Sequence, residues 1–394
     1  MTEASSAHII RLASGRLALA GGLALAVAMG IGRFAYTPLL PVMIEEGRLS
    51  VATGGAIASI HFLGYGLGAF AAIHLPPDPK RVLVISLVGI SAATLGMAFT
   101  AALAWWYVMR FIAGMLSAFV LVTVGSAIVK ELAINSRADA QGLVFSGVGA
   151  GIACVGLGAL ALMHNGYPAT LGWMAYGCVA LVATIAIGVI LIDHPWTPLP
   201  TSATRNAGST KFPRALVWAY GAAGLGYVIP ATYLPTMAHA VVPDPLVFGW
   251  GWPVFGLAAF ASTFVAAVLA RHMSNRSIWA GSQLLLSAGL VLPALAPGLP
   301  AILLSALAVG GTFMVITMAG LKEAHRLSGG NAQRPVAILT TAFATGQMIG
   351  PGLAGWVHAT THSLATVLAA TSALLFVTAI WIMLPIADEE TSLS

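Results

Sequence analysis

Gly30–Met43 reads GIGRFAYTPLLPVM and Gly224–Met237 reads GLGYVIPATYLPTM. The two stretches share both glycines, a leucine, a proline and the closing methionine at a constant offset of 194 residues. Each belongs to an apolar run long enough to cross a bilayer, so the second run reads as a copy of the first. Two further correspondences frame this one: Lys130-Glu131 recurs as Lys322-Glu323, and the Gly147-xxx-Gly151 spacing recurs as Gly346-xxx-Gly350. Segments six spans apart point the same way through a membrane. The duplication therefore predicts two parallel-repeat halves about an axis along the membrane normal, with a site between them at mid-depth.

Outward from the repeat, apolar segments of spanning length, roughly 17–25 residues, fall at 17–40, 51–74, 82–102, 104–129, 141–163, 169–192, 215–239, 247–270, 277–296, 299–321, 335–357 and 364–385. The thinnest breaks separate the third from the fourth and the ninth from the tenth. The fold expected is an all-α membrane protein of twelve transmembrane helices. Residues 1–192 form one six-helix half, 193–214 a Pro-, Ser- and Thr-rich linker, and 215–394 the other half. Composition agrees, since 59% of the 394 residues are hydrophobic and 7% charged, where a soluble domain carries roughly a quarter charged. A mean hydropathy of +0.93 leaves no polar stretch for a soluble domain.

The net charge of +5 is scattered singly or in pairs, which argues against nucleic acid and reports topology instead. With the N-terminus inside, the cytoplasmic segments hold Arg11, Arg16, Lys80, Arg81, Lys130, Arg137, Arg205, Lys211, Arg214, Arg271, Arg276, Lys322, Arg326 and Arg334, and Arg48 alone falls outside. Both termini are expected in the cytoplasm, with the chain in the inner (plasma) membrane. The first apolar run is longer than a signal-peptide core and runs into prolines, so it is expected to stay as helix 1.

The charges left within spans are Arg33 and Arg110. Helices 1 and 4 run in opposite directions, so both arginines reach comparable depth in the outer half of the bilayer, facing one cavity. An unpaired charge there costs at least about 2.5–3.5 kcal/mol. The sequence places its acidic residues at helix ends, in loops or in tails, so the cavity is expected to be electropositive and to favour an anionic substrate. The competing reading is structural: Arg33 reaches outward or caps carbonyls, and Arg110 packs on helix 1. His61 and Tyr65 share a face of helix 2. With no carboxylate expected beside it, His61 is the leading candidate to carry a coupling proton, against a purely structural histidine. Tyr36, Tyr227, Tyr233 and Gln347 fall in cavity-lining segments, Tyr227 at the repeat position of Arg33.

Pro38, Pro41, Pro230, Pro235 and Pro351 are candidate hinges, and Gly147, Gly151, Gly346 and Gly350 candidate close-packing positions. Trp105, Trp106, Trp250 and Trp252 read as an interfacial girdle. Cys154 and Cys178 read as small packers, with no disulfide or metal pattern.

The motifs GIGRFAYTPLLPVM, GLGYVIPATYLPTMA and FATGQMIGPGLAG (Phe343–Gly355) resemble the YbfB/YjiJ family of major facilitator superfamily (MFS) transporters, along the whole chain. ArgPheIleAlaGly at 110–114 is similar to the superfamily's helix-4 Arg-xxx-Gly element, which implies a role for Arg110 in coupling or helix contacts. SerGlyValGlyAlaGly at 146–151 resembles the helix-5 glycine element without its proline. The loop LeuProProAspProLysArg at 75–81 keeps Asp78, Lys80 and Arg81 but not the usual Gly-Arg frame.

The function expected is a secondary transporter of a small solute, an organic anion or metabolite, working by alternating access as a monomer. No cofactor, metal or nucleic acid is expected; the bilayer and a coupling proton are. The alternatives are a proton-coupled drug or metabolite efflux pump and, in a different class, a membrane enzyme or receptor on the same scaffold. No Walker-type segment supports a primary pump, and no catalytic cluster supports an enzyme.

Overall fold

The computed structural model describes residues 3–72, 78–135, 140–194, 212–242, 244, 249–328 and 333–384. The described residues form helices and no strand. Twelve helices are long and apolar enough to span a membrane: α1 Ser14–Glu45, α2 Val51–Ala71, α3 Pro79–Gly96, α4 Leu103–Leu132, α5 Gln141–His164, α6 Ala169–Ile190, α7 Arg214–Val241, α8 Gly251–Leu269, α9 Asn275–Leu295, α10 Leu299–Leu327, α11 Pro335–Thr361 and α12 Ala365–Met383. Each of the twelve expected segments holds one of these helices, including those flanking the two thin breaks. The linker proper, 195–211, lies outside the described residues, as do Arg137, Arg205 and Lys211.

Packing repeats at an interval of six. The pairs α1–α5, α2–α4, α3–α4 and α3–α6 recur as α7–α11, α8–α10, α9–α10 and α9–α12. Between the first six spans and the last six, α2 packs on α11, α5 on α8, and the second part of α1 on α7. The two ends of the bundle differ in charge, and the described basic residues crowd one of them, here called the basic end. There Arg16 donates to the Ile190 carbonyl at 3.0 Å, Lys80 to that of Ile192 at 3.2 Å, and Arg276 to that of Ile382 at 3.0 Å. These bonds satisfy the orphan carbonyls at the C-termini of α6 and α12, where the helix dipole also favours a cation. At the far end, Glu46 accepts from the backbone N–H of Ala169 at 2.8 Å, capping α6, and pairs with Arg48 at 2.7 Å.

Apolar contact drives helix association weakly when lipid is equally apolar, so close backbone approach carries the packing. A Cβ on Gly114 of α4 would collide with the His61 carbonyl of α2, and one on Gly64 with the Phe111 carbonyl. That interlock fixes the depth of His61. Gly147 and Gly151 bring α5 against Gly22 and Gly30 of α1, while Gly346 and Gly350 bring α11 against Gly221 and Val228 of α7. All four glycines thus pack helices within one set of six. The seam between α9 and α12 is polar: Gln283 accepts from Trp279 Nε1 at 2.9 Å and donates to Thr378 Oγ1 at 2.7 Å.

The girdle is smaller than expected. Trp105 and Trp250 are exposed, but Trp106 and Trp252 are buried. Trp106 donates its indole N–H to the Met97 carbonyl at 3.2 Å, and Trp252 stacks on Phe255 with ring centroids 4.7 Å apart. Two tryptophans at one helix end sit on different faces, and the inward one packs. Cys154 and Cys178 are exposed on the bundle surface rather than packed inside it.

Candidate functional site at the crossing of α1 and α7

The first span is not one continuous α-helix. It winds as α-helix to Leu25, as π-helix over Ala26–Ile31, loses helical form at 32–35 and resumes as α-helix over Tyr36–Glu45. The break frees carbonyls inside the membrane, where each must find a donor. Arg110 supplies two, donating Nη1 to the Gly32 carbonyl at 2.7 Å and Nη2 to that of Arg33 at 2.9 Å. Its guanidinium carbon lies 5.2 Å from the centre of the Tyr36 ring. Of the two readings of Arg110, this geometry matches the structural one, and it matches the helix-contact role implied by the Arg-xxx-Gly resemblance.

Arg33 neither reaches outward nor caps the backbone. It is 5% exposed and donates Nη2 to the Tyr227 hydroxyl, which also accepts from Gln347 Nε2. Its guanidinium carbon sits 4.7 Å from the ring centre of Phe62, 5.0 Å from that of Phe34 and 5.3 Å from that of Tyr65. The charge is held by a phenol and the faces of aromatic rings, a favourable placement for a desolvated cation. Among the described residues no Asp or Glu forms an ion pair with Arg33 or Arg110. The link Arg33–Tyr227–Gln347 joins α1 to α7 and α11 across the centre of the bundle. Tyr227 is itself sandwiched between Phe313 and Phe343, with ring centroids 5.1 and 5.5 Å away and planes nearly parallel.

His61 is fully enclosed, and its Nδ1 faces the Arg110 carbonyl at 3.1 Å. A carbonyl only accepts, so Nδ1 carries the proton and Nε2 carries the lone pair of the neutral ring. Tyr65, one turn on, turns its ring to Arg33. Tyr36 donates to the Gly54 carbonyl at 2.9 Å and Tyr233 to that of Pro351 at 2.8 Å. These two hydroxyls lock helices together near the far end. A small cavity opens among Arg33, Tyr36, Thr37, His61, Phe62 and Arg110, with about 10 Å³ available to the centre of a water molecule.

Pro235 acts through the carbonyl it orphans. Pro235 has no N–H for the Ala231 carbonyl four residues before it, and Thr37 Oγ1 of α1 fills the vacancy at 2.7 Å. Gly352, beside Pro351, donates its N–H to Ser59 Oγ of α2 at 2.9 Å. Pro38 and Pro41 lie in the resumed helix of α1, just past the break; Pro230 lies within the continuous α7. The structure thus gathers Arg33, His61, Tyr65, Arg110, Tyr227 and Gln347 at mid-depth, and holds Tyr36 and Tyr233 toward the far end. Sequence reasoning missed Phe34, Phe62, Phe313 and Phe343, since phenylalanine in an apolar span carries no signal of its own. It also missed Thr37, although Thr37 stands 194 residues before a carbonyl that Pro235 visibly frees.

A twelve-span helical bundle with packing repeated every six spans and a buried polar crossing at its centre defines the major facilitator fold of membrane transporters. The solved structure of a mutant of the nucleoside transporter NupG is similar to it, with a TM-score of 0.72 at 13% identity, covering 93% of this chain and 99% of that one. Residues 25–384 match the family described as uncharacterised MFS-type transporter YbfB, and the chain belongs to that family.

Proposed function

We propose that this chain is a secondary transporter that moves a small organic anion or anionic metabolite across the inner (plasma) membrane by alternating access. Residues 1–192 and 215–394 are the moving halves, 193–214 links them, both termini are cytoplasmic, and the working unit is a monomer. The observation that carries the reading is the buried guanidinium of Arg33, which meets no carboxylate among the described residues and stands where the first six spans touch the last six. A positive field without a fixed counter-ion attracts an anion. The crowding of basic residues at one end supports placing that end in the cytoplasm.

Alternating access needs a contact set that breaks at one end. The hydrogen bonds Arg33–Tyr227, Thr37–Ala231, Ser59–Gly352 and Tyr233–Val51 run from mid-depth to the far end. Rocking about the crossing would part them and open the site outward. The proton is the coupling ion, and His61 its carrier. A second reading, proton-coupled efflux of a drug or metabolite, draws on the aromatic walls around Arg33, which also suit an apolar solute. Neither reading involves bond-making, so no enzymatic activity is proposed.

Counterflow in proteoliposomes, screened over organic acids, nucleosides, sugars and amines, decides between them. An organic acid is expected to exchange, with the rate lost in Arg33→Ala and cut in Arg33→Lys. Exchange of an amine or uncharged drug at an unchanged rate in both variants overturns the anion reading.

A further inference from the structure

Three of the side chains that line the cavity beside Arg33 hold a buried nitrogen without a partner. Arg33 Nε, Arg110 Nε and His61 Nε2 are buried and without a hydrogen-bond partner, and all three residues line the cavity and are more than nine-tenths buried. Two of these nitrogens are donors on permanent cations. The third is an acceptor, because Nδ1 of His61 is committed to the Arg110 carbonyl. Arg33 and Tyr36 on α1 and Arg110 on α4 line the cavity with His61, and Tyr65 on α2 and Tyr227 on α7 stand against Arg33. The tyrosines are neutral, so two positive charges stand there without a negative one. The room suits a single water-sized atom.

We infer that this cavity is a subsite for one compact monovalent anion, a halide or one carboxylate oxygen of a small acid, bound together with one proton on His61 Nε2. The two Nε–H groups donate to the anion. The lone pair on Nε2 would repel it, so entry requires a third donor there. That proton comes from the water phase that delivers the anion: one N–H bond forms on His61, no covalent bond breaks, and the net charge entering is zero. Only the role in transport rests on the function proposed above; the binding itself does not.

The test uses the full chain purified in detergent, with sodium chloride and sodium formate titrated against sodium gluconate at equal ionic strength. Both compact anions are expected to raise the unfolding midpoint saturably, as any ligand of the folded state does. Half-saturation should rise toward tenfold per pH unit between pH 6 and 8. In His61→Gln, whose amide keeps a donor, binding should persist without that pH dependence, and in Arg33→Gln it should vanish. An effect of formate without one of chloride assigns the site to carboxylates; the reverse assigns it to halides.

No effect of either anion over gluconate overturns the subsite, and so does an effect that is unchanged in Arg33→Gln or equally pH-dependent in His61→Gln. Should a variant fail to fold, proton uptake by the wild-type protein in weak buffer decides: close to one proton per anion bound supports the subsite and none overturns it. Flux in liposomes without anion binding would sink the subsite alone. Anion binding without flux of any solute would sink the transport reading alone.

Discussion

Arg33 and Tyr227 stand 194 residues apart, at the same place in the two copies of the repeat, and the guanidinium of one donates to the phenol of the other. Thr37 donates to the Ala231 carbonyl at the same offset, and Glu45 meets His239 at 3.7 Å, again 194 residues on. Where α1 crosses α7, these three residues therefore face their own counterparts. Duplication alone would have placed like against like. The sequence instead diverged at this position, so a charge in one copy meets an acceptor in the other.

Tyr227→Phe should separate the hydroxyl from the ring. The ring keeps its place between Phe313 and Phe343, while Arg33 Nη2 and Gln347 Nε2 lose their shared acceptor. Leaving buried donors unmet costs about 1–3 kcal/mol, so the unfolding midpoint should fall. Adding Gln347→Leu removes one orphaned donor, and the double variant should be less destabilised than the sum of the singles. Simple additivity in that cycle would mean the three groups do not act as a unit.

Arg110→Ala should unfold the break in α1. The carbonyls of Gly32 and Arg33 would each lose their donor within the membrane, at a loss of about 2–4 kcal/mol for two unmet acceptors beside a removed charge. Arg110→Lys, with a single ammonium on a flexible stem, should recover part of this, because it cannot present two parallel donors. Monodispersity on size exclusion and the unfolding midpoint both read the effect. Arg110→Ala with the stability of the wild type would show that the break holds without its cap.

Much of this is legible in the sequence. The spans and their count follow from hydropathy and charge alternation, and the matching places of Arg33 and Tyr227 from the repeat, since the bilayer makes length and charge explicit. The role of Arg110 was legible only as one of two options. What decides it is the loss of helical form at 32–35, after the π-helical stretch Ala26–Ile31, which depends on backbone geometry that no residue type announces. Trp106 and Trp252 misled because a tryptophan at a span's end is usually interfacial. Which face it occupies is set by rotation of the helix, and here one of each pair turns inward.

Gly55 offers a wedge at the far end. A Cβ there would collide with the Tyr233 hydroxyl and the Pro351 carbonyl, and the carbonyl, being backbone of α11, cannot swing aside. Gly55→Leu should push α2 from α7 and α11 and favour the state open at the far end. Ser59→Cys, introduced in a background lacking Cys154 and Cys178, reports this by its labelling rate with an impermeant maleimide added from that side. Labelling should speed up several-fold in Gly55→Leu. An unchanged or slower rate would mean that the far end yields elsewhere or does not open.

Pro235 and Thr37 supply the sharpest test, because they act on one carbonyl. In the wild type, Thr37 Oγ1 is the donor that replaces the N–H missing at Pro235. Thr37→Val leaves the Ala231 carbonyl orphaned, at about 1–3 kcal/mol. Pro235→Ala restores an N–H that can close the helical bond from within α7. Thr37→Val should therefore cost less in the Pro235→Ala background than in the wild type, by about 1 kcal/mol, the usual worth of one hydrogen bond. Equal costs in both backgrounds would show that Pro235 did not create the acceptor that Thr37 fills. The expected inequality makes the proline the origin of the bond across the crossing, with any kink it imposes a secondary effect.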